Sequence, residues 1–599
     1  MDGYFRIAVA TPMLHLGNPG ANVVEHFRMA EEAAEKGVAV LAFPELSLTG
    51  YTCGDLFFRS DLVCGAETAL KDYAQKTKHL PLVSIVGFPE RPGDYLYNAA
   101  AVVAGGEVVG VVRKRTLANY AEYYEKRQFD PAPEDAPLTV FEVGGLRFGV
   151  EICEDLWSPI PPSSRMAGAD VIFNLSASTD FLGKASVRNG MVVQQSVRLG
   201  CAYALAAAGI GESTSDAVYG GGSLIAESGR VIAEAPLFSE SVLLTAEVDV
   251  DALRYRRRAD SSVRSSGGVD SACCRVVCPI VNCDPASVDR SPFMTTFGES
   301  GWIGKLLTIQ AVSLARRMSA AHAKTMVVGV SGGADSALAL LGAMRAAERE
   351  GGRVIAVVMP GLASSETTQR RAVGLAEALG IEVRVVDICE ACWLHLRDLG
   401  HDESVHDIVF ENVQARERTQ ILMDLANQEG ALVVGTGDLS EIALGWNTYN
   451  GDHMSMYQIN ASIPKTMVLA ALKGVAPLYP ERAAAILKEI AEAPITPELV
   501  PNAGAGDSED RLGPYELHDF FLYHFLANGA SKEKLLQLGK IAFRGCYDDA
   551  TIEQTRDTFW RRFFTSQYKR NCVPDGPKIT LSLSPRADWR MPADVERIK

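Results

Sequence analysis

Long apolar runs and an excess of positive charge are both missing from this sequence. No stretch approaches the roughly 20 apolar residues that a membrane-spanning helix needs, and residues 1–4 lack the basic start of a secretory signal. The 58 Lys and Arg residues are outnumbered by 74 Asp and Glu, which gives a net charge of -16. An acidic chain is a poor general ligand for nucleic acids and anionic membranes. We therefore expect a cytoplasmic protein that binds neither nucleic acid nor membrane.

The 12 cysteines do not follow the spacing of a metal site. Four of them lie between Cys273 and Cys283 without the paired CxxC spacing of a zinc module, and the single CxxC at Cys389 and Cys392 stands alone. Thiols stay reduced in a cytosol. The pattern therefore favours free thiols over a zinc or redox centre.

The length of 599 residues exceeds what one hydrophobic core usually serves, so two or more domains are expected. Over residues 1–253, short apolar strands alternate with helical stretches. Turn signals at Gly105-Gly106, Gly144-Gly145 and Ser228-Gly229 each separate two β-rich runs. This first domain is therefore predicted to be α/β, with antiparallel pairs inside a mixed sheet.

Residues 254–300 are rich in Arg, Ser, Gly, Pro and Cys and show no sustained periodicity, which predicts a linker. Over residues 301–599, strands again alternate with longer helices. Such alternation is typical of a Rossmann-like parallel sheet with helices on both faces, whose ligands bind at the carboxyl ends of the strands. The sequence thus predicts a second α/β domain that is separate from the first.

A glycine turn with no lysine follows an apolar strand of this second domain. The turn comprises Ser331, Gly332 and Gly333, and Asp335 and Ser336 lie in the helix that is expected to follow. Backbone N–H groups at a helix start bind phosphate oxygens, and glycines let the ligand approach closely. A Walker loop would carry a lysine here. The motif instead resembles the N-type ATP pyrophosphatases, which cleave ATP between its α and β phosphates and release pyrophosphate.

A near copy of this motif begins at Ser266 and ends at Ser271. The residues before it, from Arg254 to Ser262, are mostly charged and polar. No apolar strand leads into the copy, so we interpret it as part of the linker rather than as a second phosphate site.

Three reactive residues stand at predicted strand ends in the first domain: Glu45, Lys114 and Cys153. Together they suit the hydrolysis of a carboxamide. The thiol attacks the carbonyl carbon, the carboxylate moves the proton, and the ammonium stabilises the oxyanion. This domain resembles the nitrilase, or carbon-nitrogen hydrolase, family along nearly its whole length. The resemblance implies an α-β-β-α sandwich in which these three residues are catalytic. Glu125 matches a second glutamate of the family, which orients the lysine and the substrate.

The same resemblance implies further positions around the amidase site. Ser178 falls where family members bind glutamine, and Tyr120 and Lys184 are assigned to the same glutamine-binding site. Lys184 stands where close relatives carry arginine, and the two side chains are not equivalent for a carboxylate. Tyr51 and Tyr120 match tyrosines that line or gate a route for ammonia.

The second domain carries further motifs around Asn412, Gly435 and Gly445, and it resembles NAD synthetases. The resemblance implies that Thr436 contacts ATP. It assigns deamido-NAD contacts to six residues: Asn412, Glu441, Trp446, Thr448, Tyr449 and Lys569. It also implies that Asp335 and Glu441 hold Mg²⁺, which commonly binds one or two carboxylates together with phosphate oxygens.

Taken together, the two halves resemble glutamine-dependent NAD synthetases. That family releases ammonia from glutamine at one site and uses ATP at the other to convert deamido-NAD to NAD, through an adenylate, with AMP, pyrophosphate and glutamate as the other products. Free ammonia is mostly protonated at neutral pH, so a closed tunnel between the sites would be advantageous. Fused bacterial members are often homo-oligomers, which the resemblance implies here as well.

Three alternatives remain at this stage. A synthetase for GMP or asparagine could use the same ATP loop, but those enzymes usually carry unrelated glutaminase domains. An RNA-binding sulfur transferase could use Cys389 and Cys392, but the acidic composition and the lack of a basic, aromatic-rich segment oppose it. A non-catalytic scaffold is opposed by the intact reactive residues.

Overall fold

The computed structural model describes residues 1–166, 168–215, 217–266, 271–495 and 508–595. The chain divides into two compact units, Met1–Ala286 and Ser287–Lys599. Among the described residues, none of the helices is both long and apolar enough to cross a membrane.

The first unit contains two β-sheets. Its strands are β1 (Tyr4–Thr11), β2 (Val38–Ala42), β3 (Val83–Glu90), β4 (Tyr97–Ala104), β5 (Glu107–Arg113), β6 (Leu138–Val143), β7 (Leu146–Ile152), β8 (Val171–Ser176), β9 (Ala202–Ala207), β10 (Leu224–Glu227), β11 (Arg230–Glu234), β12 (Val242–Asp249) and β13 (Ser271–Arg275). One sheet has the order β12-β1-β2-β3-β4-β5, and the other has the order β11-β10-β9-β8-β7-β6-β13.

The helices of this unit are α1 (Pro19–Glu35), α2 (Ser60–Thr77), α3 (Glu154–Trp157), α4 (Lys184–Leu199), α5 (Val250–Ala259) and α6 (Ser261–Ser266). Short 3-10 helices span Tyr51–Phe58, Glu125–Arg127 and Pro162–Arg165.

The two sheets of the first unit pack face to face. One buried cluster joins side chains of both sheets, such as Ile85 of β3 with Phe148 of β7. On the outer face of the first sheet, residues of α1 and α2 pack against Leu41 and its neighbours. Val192 of α4 packs on the outer face of the second sheet with Ile172. This arrangement confirms the predicted α-β-β-α sandwich.

The three predicted turns are confirmed as tight hairpins, between β4 and β5, β6 and β7, and β10 and β11. The two central residues of each turn have positive φ angles, for example 59° and 94° at Gly105 and Gly106. Such turns match the twist of the strands that they join, which explains why glycine occupies them.

The stretch predicted as a linker contains more regular structure than its sequence pattern suggested. Helix α5 covers most of its charged start, where Arg254 and Arg257 bind the fully buried carboxylate of Asp170. Strand β13 then adds to the edge of the second sheet, parallel to β6, with Cys273 opposite Val140. This stretch lacks an apolar pattern because Arg254 and Arg257 form ion pairs with a buried carboxylate instead of packing into a hydrophobic core.

The near copy of the phosphate-loop motif lies largely outside the described residues, since residues 267–270 are not described. Helix α6 precedes it, and β13 follows it. The described residues on either side are thus in helix-then-strand order, the reverse of the order around a phosphate loop.

The second unit is built on one parallel sheet. Its strands are β14 (Thr325–Gly329), β15 (Arg353–Val358), β16 (Glu382–Val385), β17 (Ala431–Gly435) and β18 (Tyr457–Gln458), in the order β16-β15-β14-β17-β18. The chain runs outward from β14 to β16 and returns to β17 on the other side of β14. The carboxyl ends of β14 and β17 therefore form the switch point where such sheets bind ligands.

The helices of this unit are α7 (Pro292–Phe297), α8 (Trp302–Ala320), α9 (Ala334–Glu350), α10 (Glu366–Ala378), α11 (Cys389–Asp398), α12 (Ile408–Glu429), α13 (Leu439–Leu444), α14 (Lys465–Val475), α15 (Glu481–Glu492), α16 (Ser508–Leu512), α17 (Tyr515–Asn528), α18 (Lys532–Ala542), α19 (Asp549–Thr565) and α20 (Gln567–Arg570). A 3-10 helix spans Ala476–Leu478.

Helices cover both faces of the parallel sheet. Val327 of β14 packs with residues of α11 and α12 on one face. Its neighbours Met326 and Val328 are also fully buried. Because side chains alternate along a strand, they point to the other face, where α9 contacts β14 and β15. The predicted Rossmann-like fold is confirmed.

Candidate active sites

The first unit brings its three predicted catalytic residues together at strand ends. Glu45 lies three residues beyond β2, Lys114 directly follows β5, and Cys153 directly follows β7. All three are buried: Glu45 and Lys114 are fully inaccessible, and Cys153 is 5% exposed.

Glu45 is held by three hydrogen-bond donors. Its Oε1 accepts hydrogen bonds from Lys114 Nζ and Asn98 Nδ2, both at 2.6 Å, and its Oε2 accepts one from the Ala177 N–H at 2.8 Å. A carboxylate offers about four acceptor positions. One acceptor position of Oε2 is therefore available for a proton from another group.

Lys114 bridges the two predicted glutamates. Its ammonium donates to Glu45 Oε1 and to Glu125 Oε1, each at 2.6 Å. Burial alone lowers the pKa of Lys114, but the carboxylates of Glu125 and Glu45 outweigh it and raise the pKa well above its ordinary value. Lys114 therefore stays charged, and its third N–H remains available.

Cys153 occupies a sharp turn between β7 and α3. Its φ angle is 44°, a left-handed conformation that is costly for a residue with a side chain and that occurs often at functional sites. The hydroxyl of Ser176 donates to Cys153 Sγ at 3.4 Å. Burial raises the pKa of the Cys153 thiol, and the charge of Glu45 raises it further. The resting thiol is therefore protonated and needs a base.

The remaining predicted residues surround this centre. The Tyr51 hydroxyl donates to Glu125 Oε1 at 2.7 Å, and the exposed Tyr120 donates to Glu154, the neighbour of Cys153, at 3.0 Å. Ser178 is buried on the loop after β8. Lys184 begins α4, and its Nζ lies 4.1 Å from the centre of the Trp157 ring.

In the second unit, the predicted phosphate loop connects β14 to α9. The Gly333 N–H donates to Ser331 Oγ at 3.2 Å, and the Ser336 hydroxyl donates to the Gly333 carbonyl at 3.0 Å. Gly332 has a φ angle of 84°, and a Cβ at this position would overlap the carbonyl of Thr368. Glycine is therefore required here both for the backbone conformation and for space.

Three acids meet beside this loop. Asp335, Asp438 and Glu441 each place a carboxylate oxygen within 4.8 Å of the other two. Lys465 Nζ lies among them, at 2.5 Å from Asp335, 2.9 Å from Asp438 and 2.9 Å from Glu441. Burial raises the pKa of Glu441 to about 7 although Lys465 opposes this shift. Burial opposes the charge of Lys465, but the three acids raise its pKa well above its ordinary value.

The predicted dinucleotide residues lie next to these acids. Thr448 donates to Asn412 Oδ1 at 2.8 Å. The guanidinium of Arg562 lies 4.8 Å from the centre of the Trp446 ring. The ring of Tyr449 packs against that of His453, at 5.3 Å between centroids.

Lys569 closes the same region. Its Nζ donates to the carbonyls of Gly445, at 2.8 Å, and Asn447, at 2.5 Å. Burial and the positive charge of Arg562 lower the pKa of Lys569. An anion near this lysine would relieve the unfavourable burial of its charge.

A single cavity of about 940 Å³ joins these groups. It is lined by every residue predicted to bind ATP, deamido-NAD or Mg²⁺: Ser331, Gly332, Gly333, Asp335, Ser336, Asn412, Thr436, Glu441, Trp446, Thr448, Tyr449 and Lys569. Its size is that of a large small-molecule site. Residues that are 238 positions apart in the sequence thus contribute to one pocket.

Family profiles divide the chain between the same two units. The carbon-nitrogen hydrolase profile matches residues 6–258, and the NAD synthase profile matches residues 308–547. Glutamine-dependent NAD(+) synthetases match nearly the whole chain. That of Mycobacterium tuberculosis is 36% identical over 99% of this chain and 96% of the relative. That of Mycobacterium leprae is 35% identical with the same coverage, and that of Thermotoga maritima is 31% identical over 98% of both chains.

The chain belongs to the glutamine-dependent NAD(+) synthetase family. The resemblance inferred from its motifs is confirmed. The individual roles of the predicted site residues stay predictions, although the described geometry is compatible with them.

Several residues of the two sites were not predicted from the sequence. Asn98 and the Ala177 N–H both bind Glu45 and lack a recognisable motif. Asp438 and Lys465 complete the acidic cluster. A signal existed for Lys465, because a lysine at the first position of a helix opposes the helix dipole and calls for another partner.

Asn460 is a further residue that the sequence did not reveal. Its Nδ2 donates to the carbonyl of Asp335 at 2.9 Å and to that of Thr436 at 3.0 Å. The fully buried Asn460 therefore links the first turn of α9, which follows β14, to the loop after β17.

Proposed function

We propose that this protein synthesises NAD from deamido-NAD and ATP in the cytoplasm, with ammonia taken from glutamine. The observation that carries the proposal is the single cavity of the second unit, which combines a phosphate loop, an acidic cluster and an aromatic rim. The relatives that match nearly the whole chain are glutamine-dependent enzymes, which supports glutamine as the nitrogen source. The first unit contains a site with the groups that amide hydrolysis needs.

Glutamine hydrolysis begins at Cys153. Its sulfur attacks the carboxamide carbon of glutamine, and the available acceptor position of Glu45 Oε2 takes the thiol proton. The remaining N–H of Lys114 stabilises the oxyanion of the tetrahedral intermediate. When the carbon–nitrogen bond breaks, Glu45 returns the proton to the leaving group, which departs as ammonia. Water then hydrolyses the thioester to glutamate and restores the thiol.

Glu125 and the residues near the mouth of this site bind and orient the substrate. Glu125 positions Lys114 through their 2.6 Å contact. Ser178 and Tyr120 contact glutamine. Tyr51 and Tyr120 line the way by which ammonia leaves the first site.

NAD synthesis follows at the second site. The N–H groups at the start of α9 bind the phosphates of ATP, and Thr436 contacts the nucleotide. The nicotinate carboxylate attacks the α-phosphorus, pyrophosphate leaves, and ammonia then displaces AMP from the adenylate. Asn412, Trp446, Thr448, Tyr449 and Lys569 hold the dinucleotide.

The acidic cluster fits a Mg²⁺ ion. Asp335 Oδ1 is buried and lacks a hydrogen-bond partner among the described residues, so it can serve as a ligand. Carboxylate oxygens are the ligands that Mg²⁺ prefers. We infer that Asp335 and Glu441, together with Asp438, would hold the ion, which when bound offsets the charge of the ATP phosphates. Lys465 balances the charge of the acids.

The test is NAD formation from deamido-NAD, ATP and Mg²⁺ with either glutamine or ammonium as the nitrogen donor. Cys153→Ala should lose only the glutamine-driven reaction, because its second site remains complete. The exposed Cys64 provides the matched control, and Cys64→Ala should retain both reactions. If the wild type makes no NAD from either donor, the dinucleotide assignment is wrong. The mass of the protein in solution tests whether it forms the proposed homo-oligomer.

A further inference from the structure

Asp155 is a buried carboxylate that has no part in the proposed reaction steps. It is the second residue of α3 and is only 2% exposed. In the described part of the chain, its side chain accepts hydrogen bonds from three backbone N–H groups. Oδ1 accepts from Thr116 at 2.8 Å and from Arg115 at 3.2 Å, and Oδ2 accepts from Ile152 at 3.1 Å. A carboxylate is costly to bury, and these donors offset that cost.

The three hydrogen bonds join two segments that are remote in the sequence. Arg115 and Thr116 directly follow Lys114, and they lie 40 and 39 positions before Asp155. Ile152 directly precedes Cys153. A single carboxylate therefore binds the backbone beside the reactive ammonium and the backbone beside the reactive thiol.

The turn at Cys153 needs such support. Its φ angle of 44° is costly for a residue that has a Cβ, and a strained conformation of this kind persists only where the surroundings hold it. The Leu156 N–H donates to the Cys153 carbonyl at 3.0 Å and holds the turn on its helical side. The bond from Ile152 to Asp155 holds it on the strand side.

The loop that carries Lys114 is held in a similar way. The Lys114 N–H donates to the Asn98 carbonyl at 2.9 Å, and Asp155 binds the two residues that follow. The charge of Lys114 lowers the pKa of the Cys153 thiol, against the larger effect of burial, so the two reactive groups already influence each other. Their spacing depends on the two segments that Asp155 joins.

We propose that Asp155 is a positioning residue that holds the Lys114 loop against the Cys153 turn, so that the ammonium faces the oxyanion formed at the thiol. This role rests on the proposed glutaminase function. It differs from that of Glu125, which contacts the ammonium itself, because Asp155 acts on the backbone. A misplacement of about 1 Å can cost about 100-fold in rate even when the altered residue does not touch the substrate.

The contacts of Asp155 are strongest when its carboxyl is ionised. Burial raises the pKa of Asp155 to about 7, and the charge of Glu151 raises it further. The N–H groups of Ile152 and Thr116 and the charge of Lys114 oppose this shift. The carboxylate form prevails above that pKa, so the measurements should be made at about pH 8.

The test is glutamine hydrolysis by Asp155→Asn. The amide preserves the size of the side chain, but its nitrogen donates hydrogen bonds, so at least one of the three N–H groups loses its acceptor. We expect kcat to fall by roughly 10- to 100-fold with little change in KM, since Asp155 acts on the reacting groups and not on glutamine. Ammonium-driven NAD synthesis should not change.

The matched control is Asp249→Asn. Asp249 is another buried aspartate of the first unit, and it accepts a hydrogen bond from the Ala252 N–H at 3.1 Å at the start of α5. Asparagine caps a helix about as well as aspartate. This variant should keep the wild-type kcat.

The number of intact glutaminase sites separates positioning from a loss of folded protein. The diazoketone analogue of glutamine, 6-diazo-5-oxo-L-norleucine, should alkylate Cys153 in an intact site, and mass spectrometry counts the labelled molecules. In Asp155→Asn we expect complete but slower labelling and a lower kcat per labelled site. Two results would overturn the proposal: an unchanged kcat, or fewer labelled molecules that each turn over at the wild-type rate.

If Asp155→Asn fails to fold, hydrogen exchange in the wild type provides the test. The N–H groups of Arg115 and Thr116 should exchange slowly because Asp155 binds them, and rapid exchange of both would refute the proposal. A wild type that releases no ammonia from glutamine refutes the proposed function and this role together. A wild type that hydrolyses glutamine leaves the function standing whatever the Asp155 variant shows.

Discussion

Removing the contact between Lys114 and Glu125 should slow glutamine hydrolysis and, at the same time, make the Cys153 thiol more reactive. The change Glu125→Gln removes a negative charge while nearly preserving the shape of the side chain. In the structure this carboxylate accepts hydrogen bonds from Lys114 at 2.6 Å and from Tyr51 at 2.7 Å. The variant therefore weakens the support of Lys114 without opening a cavity.

The expected loss follows from the type of contact. A buried hydrogen bond between charged groups is worth about 1.5 to 3 kcal/mol, which corresponds to a rate factor of roughly 10 to 150 at 1.36 kcal/mol per tenfold change. We expect kcat for glutamine hydrolysis to fall within this range, because the contact holds the ammonium that faces the oxyanion. Ammonium-driven NAD synthesis should not change.

The reactivity of the thiol should change in the other direction. The charge of Glu125 is one of the causes that raise the pKa of Cys153, after burial and the charge of Glu45. Removing it lowers the thiol pKa. Alkylation of Cys153 by iodoacetamide, followed by mass spectrometry of the peptide that contains it, should therefore be faster in Glu125→Gln.

Glu134 is exposed on a loop of the same unit, so Glu134→Gln is the matched control and should leave both measurements unchanged. Full glutaminase activity in Glu125→Gln would refute the role of the contact. Slower alkylation accompanied by slower hydrolysis would indicate a general disturbance of the site instead of the loss of one charge.

Two further predictions concern the second unit. Gly332→Ala should abolish ATP-dependent synthesis while glutamine hydrolysis continues, because the added Cβ would overlap the Thr368 carbonyl. The control is Gly351→Ala, which should retain synthesis, because Gly351 also has a positive φ angle but has open space around it. An equal loss of synthesis in both variants would show that backbone strain alone is responsible. Burial raises the pKa of Asp519 from 3.8 to about 6, so the folded state binds this proton more tightly than the unfolded state does. The free energy of unfolding should therefore fall by roughly 3 kcal/mol as the pH rises from about 4 to 6. In thermal unfolding scans, Asp519→Asn should remove this decline in stability, whereas the control Asp424→Asn, at an exposed position, should keep it. An unchanged decline in Asp519→Asn would refute the assignment of the decline to Asp519.

Local patterns in the sequence predicted those elements whose causes are local. Hairpins form at Gly105-Gly106 and Gly144-Gly145 because those residues tolerate positive φ angles. The phosphate loop follows from an apolar strand, two glycines and a helix. Glu45, Lys114 and Cys153 were recognisable because each follows a short apolar strand and because all three occur in the order of a known family.

Contacts between distant residues were not predictable in this way. The charged stretch after residue 253 resembled a linker, since nothing in its own pattern reveals that Arg254 and Arg257 bind Asp170, more than 80 positions earlier. Strand β13 likewise depends on the edge of β6, which is remote in the sequence. An edge strand with little apolar patterning gives a weak local signal.

The sequence by itself determined the two α/β domains, the reactive residue types and the family, because these depend on periodicity and on motifs of a few residues. Only the tertiary structure decided which buried polar groups have hydrogen-bond or ion-pair partners. Lys465 contacts Asp335 from 130 positions away, and Arg188 is left with unused donors inside a packed unit. The cost of burying a charge depends on its three-dimensional surroundings, and these form only when distant segments of the chain pack together.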